Sequence, residues 1–158
     1  MKKLYLICMI FGLLHAGNNY STKSDWLLDI NTTNGKFMAI QKQFRGFDLA
    51  MVEVGYRFNT FYYSIKDKNY DLALYNWDKI KKAMENGIVR RPKRALDAKS
   101  MFLNSQYNVM RKALQKHDAK AVAEAYEETK ILCNACHISQ KVPFIEVIDP
   151  EYRWQPIR

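Results

Sequence analysis

Apolar residues recur along the chain in helical steps. Phe37, Ile40, Phe44, Phe47, Met51, Val54, Phe58, Phe61 and Ile65 alternate spacings of three and four, which puts all nine on one face. The pattern predicts one long helix of about 28 residues, roughly 40 Å from end to end. The polar "KDKN" of Lys66–Asn69 breaks it. A second helix is predicted from Tyr70 to Ile88, with Ala73, Trp77, Ile80, Met84 and Ile88 inward and Gly87 as its stop signal. Pro92 opens a third, expected over Ala95–Leu114 with Leu96, Leu103, Tyr107, Met110 and Leu114 inside. Asp118 is placed to cap a fourth. That helix is expected from Ala119 to near Gln140, because Pro143 prevents its continuation. Four amphipathic helices with short connections predict an all-α fold, an antiparallel four-helix bundle over residues 37–141.

The flanks have a different character. Residues 17–36 are polar and turn-rich, and 142–158 form a tail without periodicity. Residues 1–16 have the anatomy of a secretory signal peptide: Lys2 and Lys3, an apolar run from Leu4 to Leu14, then Leu14-His15-Ala16 as cleavage site. That run is too short to span a bilayer, which takes about 20 apolar residues. Export to the periplasm is therefore expected, with no stable membrane insertion after cleavage. The chain carries 25 basic and 16 acidic residues, a formal net charge of +9. Such a surface suits an acidic partner protein, or simply solubility. Nucleic acid is not an expected partner of an exported protein.

Export also narrows the cysteine chemistry. Cys8 lies within the signal and leaves with it, so the mature chain keeps Cys133 and Cys136. Both belong to "CNACH", with His137 directly after. A disulfide between them would close a very small loop and staple little. On the fourth helix, Val122, Tyr126, Thr129, Cys133 and Cys136 step by three and four, so the thiols share the inward face and His137 flanks it. Thiols so placed can each add across a vinyl group of one porphyrin while the next residue presents its imidazole to the iron. This is the C-x-x-C-H pattern of c-type haem attachment. A zinc site would need a fourth ligand, and the mature chain offers only the distant His117 besides these. A thioredoxin-like pair would need an α/β pattern. The aromatic content, 13%, fits either a packed core or one wrapped round a large flat ligand.

Four helices with CxxCH on the last resemble the class II c-type cytochromes, the cytochrome c′ family, over roughly Phe37–Lys141. "RRPKRA" and "VPF" are also similar to stretches of small bacterial cytochromes of this kind. The resemblance implies one covalent haem c held between helices near one end of the bundle, His137 as proximal ligand, and in many members a homodimer. The chain departs from that pattern at Lys141, where relatives often carry Arg, and in its longer tail.

If the fourth helix runs antiparallel to the first, the far face of the haem meets Phe44, Phe47 and Met51. Met51 is then the only iron ligand on that seam, or else a core filler. The family's spacing offers another register, Arg45 with Leu49, which would leave the iron five-coordinate. Arg45 is a candidate contact for a haem propionate or a solvated charge. An electron-transfer cytochrome is the expected function, docking on a redox partner. The alternative is a five-coordinate haem protein binding a diatomic gas, NO or CO. The first helix has no His to act as acid or base, so no enzyme activity and no catalytic residue is expected. A cofactor-free structural protein stands last.

Overall fold

The computed structural model describes residues 25–158. The expected signal peptide and Cys8 lie outside the described residues. The described chain is all-helical, with no strand among these residues. Six α-helices succeed one another: α1 Thr33–Gln43, α2 Phe47–Lys66, α3 Tyr70–Arg90, α4 Ala95–Ala98, α5 Gln106–Gln115 and α6 Ala119–Ser139. A 3₁₀ turn at Pro92–Arg94 precedes α4, and a π-helical turn at Lys99–Leu103 comes after it.

The described residues fall into two units divided after Ile40, 25–40 and 41–158. In the first, the Asp25 carboxylate accepts from the backbone N–H groups of Leu27 and Leu28, and Thr32 Oγ1 accepts from Gly35 N. These side chains satisfy N–H groups that a turn or helix start leaves free.

The predicted long first helix is two helices. α1 ends at Gln43, Arg45 takes a left-handed conformation (φ 55°), and the Asp48 carboxylate accepts from Gly46 N at 2.9 Å. An acceptor in the first turn of α2 starts that helix afresh. The apolar seam packs only from Phe47 onward. Phe44 is 57% exposed, and α1 buries no residue.

Asn69 caps α3 by accepting from Leu72 N at 3.0 Å. Gly87 does not stop this helix, which continues to Arg90. A Cβ at Gly87 would lie 2.8 Å from Ala50 Cβ and 2.9 Å from the Phe47 ring, so the glycine is there for close packing of α2 on α3. The predicted third helix is also interrupted. The π turn inserts one extra residue and puts the inward faces on its two sides out of register: beyond it Tyr107, Met110 and Leu114 are buried as expected, and before it the face is displaced. Leu96, expected inside, is 77% exposed, and Ala98 and Phe102 are buried instead. The fourth helix agrees with expectation to its ends, including the Asp118 cap on Ala121 N at 3.0 Å.

The core lies between α2, α3, α5 and α6. Trp77 is fully buried, stacks on Phe61 at 4.9 Å and donates its indole N–H to Tyr107 O at 2.9 Å. Gln106 on α5 donates to Ala125 O and Thr129 Oγ1 on α6, satisfying the polar groups that this contact buries. The most extensive helix pairing is α2 with α3, followed by α5 with α6 and α3 with α5. α2 and α6 have no comparable pairing, and a cavity separates the N-terminal half of α2 from the C-terminal half of α6.

Candidate functional site

α6 stops at Ser139 because Lys141 turns left-handed (φ 62°), with its N–H bonded to Ile138 O and that of Val142 to His137 O. The reversal sends residues 142–158 back across the gap. Several side-chain anchors hold this segment. Asn134 bonds both backbone groups of Val147. Asp149 accepts from Tyr126 Oη at 3.0 Å and Lys130 Nζ at 2.7 Å. Asn59 on α2 donates to Tyr152 O at 2.9 Å and accepts from Trp154 N at 3.1 Å.

The result is a cavity of about 760 Å³. Phe47, Met51, Val54 and Phe58 form the α2 wall. Ala98, Met101 and Phe102 close a second side, Cys133, Cys136 and His137 a third, and Val142, Ile145 and Val147 of the tail a fourth. The volume and apolar walls suit an organic ligand of some size. At Gly55, also on the α2 wall, a Cβ would meet nothing within 4 Å.

Cys133 and Cys136 are unpaired and half-buried. Burial, and secondly the neighbouring Cys136, pushes the Cys133 thiol up to about 12. Burial also raises Cys136, with Asp97 adding to the effect and Arg94 opposing it. Both sulfurs are therefore uncharged at neutral pH, in surroundings that suit a neutral sulfur. The His137 ring has its Nδ1 2.6 Å from Ile145 O. A carbonyl can only accept, so Nδ1 is the donor, and in the neutral ring this leaves the lone pair on Nε2.

The other candidates divide. Phe47 and Met51 line the cavity; Phe44 and Arg45 do not. Arg45 is exposed and its guanidinium is paired with Asp48. Leu49 faces a separate groove with Tyr56, Val89 and Arg90, so Met51, not Leu49, is the cavity residue of α2. Lys141 also stands off the walls, where Arg94 is the one basic side chain. Arg94 bonds Gln140, and Asp97 accepts from Ser139 Oγ at 2.6 Å, tying the α4 region to the end of α6 beside His137.

The sequence carries no sign of the Met101 position, because the uninterrupted third helix it predicts sets a different inner face. The tail as a wall was also hidden. Its contacts are with residues up to 95 positions away in the chain, and no local pattern encodes them. No group of three or more His, Cys, Asp or Glu side chains converges as a metal site among the described residues, and no helix among them is long and apolar enough to cross a membrane. Comparison with known proteins finds no matching family model, no similar curated protein and no similar solved structure.

Proposed function

We propose that α2, α3, α5 and α6 form an antiparallel bundle holding one haem c, and that the protein is an exported, periplasmic mono-haem cytochrome that transfers electrons to and from a partner protein. One observation carries this reading: both cysteines of CNACH and His137 belong to the wall of a single apolar cavity of about 760 Å³. Cys133 and Cys136 would hold the group as thioethers, each formed by addition of S–H across one vinyl group. The uncharged thioether fits the apolar wall that already keeps the thiols neutral. His137 would hold the iron through Nε2 while Nδ1 donates to Ile145 O. Met51 would offer its thioether to the iron, with Phe47 on the same wall. Haem iron supplies reversible one-electron chemistry, at a potential set by axial ligands, burial and hydrogen bonding. An absorption spectrum of periplasmically expressed protein, oxidised and reduced, tests the reading. Sharp reduced bands of a covalent haem are expected; a colourless protein would overturn it.

A second reading, binding of CO or NO, draws on the open space at Gly55 and the apolar far walls. A thioether bond to iron is weak enough to be displaced, and neutral diatomics need no hydrogen-bonding partner. Exposure of the ferrous protein to CO distinguishes the readings: a shifted spectrum supports gas binding, and an unchanged one confines the protein to electron transfer.

A further inference from the structure

The proton of His137 Nδ1 is taken by the tail, through Ile145 O. Two residues further on, one side chain grips Val147 from both sides. Asn134 Nδ2 donates to Val147 O at 3.1 Å, and Val147 N donates to Asn134 Oδ1 at 2.7 Å. Asn134 stands three residues before His137, one turn back on α6. A primary amide can donate and accept at once, which neither a carboxylate nor an ammonium can do. Both bonds fix where Val147 lies along α6, and the short extended chain between carries that constraint to the Ile145 carbonyl. Helix and tail thus meet twice within four residues of α6: once at the motif's second residue, once at its histidine.

We propose that Asn134 is a positioning residue for the iron ligand. It clamps the tail so that Ile145 O holds the His137 Nδ1 proton, which fixes the imidazole tautomer and ring orientation and strengthens Nε2 as a donor. The proposal rests on the haem reading above. It makes the tail part of the proximal site, not a cover over it.

The experiment compares wild-type holoprotein with Asn134→Ala, Asn134→Asp and Val147→Pro. Val147→Pro removes the N–H that Asn134 accepts and lies outside CNACH. Haem content is read by denaturing mass spectrometry, solvent exchange of the Nδ1 proton by NMR of the ferrous protein, and midpoint potential by titration. The Nδ1 proton is expected to exchange at least tenfold faster in Asn134→Ala and Val147→Pro. Their potentials should rise, because a weaker imidazole donor stabilises the ferric state less. Asn134→Asp keeps one of the two bonds and should fall between. Loaded variants with wild-type exchange and potential would overturn the proposal while leaving the haem reading intact. Loss of attachment in both Asn134→Ala and Val147→Pro would also overturn it, since positioning of His137 leaves the thioether chemistry untouched. A wild-type protein without haem would instead sink the haem reading itself.

Discussion

Met51, Met84 and Met101 bring three thioethers to the cavity from different elements, α2, α3 and the π turn. Only one can complete an axial pair with His137, and the proposal assigns Met51. Met51→Leu roughly conserves volume and should convert a low-spin spectrum to high-spin, with faster CO binding. Met101→Leu should leave the spectrum alone; the reverse result would move the ligand to the π turn. Asp149 sets a different expectation. Hydrogen bonding from Lys130, and secondarily from Tyr126, holds its carboxyl below the ordinary carboxylate range against an opposing effect of burial. The folded state then binds fewer protons than the unfolded one near pH 4. This contribution to stability is present above the ordinary carboxylate value and is lost as pH falls through the folded one. Asp149→Asn should flatten the acid limb of a plot of stability against pH, measured by urea unfolding between pH 3 and 6. An acid limb unchanged by the substitution would show that Asp149 is not a source of it.

Two glycines on neighbouring elements should respond in opposite directions. Gly87→Ala forces a Cβ against Ala50 and Phe47. Overpacking of this kind costs about 1–3 kcal/mol, more than the gain in helix propensity of about 1 kcal/mol. Gly55→Ala meets no atom within 4 Å and should stabilise the haem-free protein by about 0.5–1 kcal/mol. Denaturant titration of each variant in a Cys133→Ala/Cys136→Ala background checks both signs. The same elements mark how much of the fold was legible in the sequence. The ends of α6, the Asp118 cap and the inward step of Cys133 and Cys136 come from spacing alone. The break before α2 did not, although Gly46 and Asp48 are ordinary breaker and start signals: the unbroken rhythm of nine apolar positions outweighed them. The π turn was illegible for a deeper reason. An extra residue in one turn shifts the inward face without any composition signal, so Leu96 was expected inside and Ala98 and Phe102 were found there.

At the scale of the molecule, a basic chain folds a basic exterior round an apolar cavity with one arginine on its walls. The site is assembled from α2, α3, the α4 region, α6 and the tail. The α6 part, with its thiols three apart and imidazole next in line, and Phe47 and Met51 on α2 were readable from the sequence. The cavity and the tail arise from contacts distant in the chain, which periodicity does not encode. The proposed function depends throughout on whether Cys133 and Cys136 carry a haem. The direct measurement is the denatured mass of wild-type protein matured in a periplasm with a working cytochrome c maturation system, beside Cys133→Ala/Cys136→Ala. The account predicts polypeptide plus one haem for the wild type and bare polypeptide for the double variant. A wild-type mass equal to that of the polypeptide alone would contradict it.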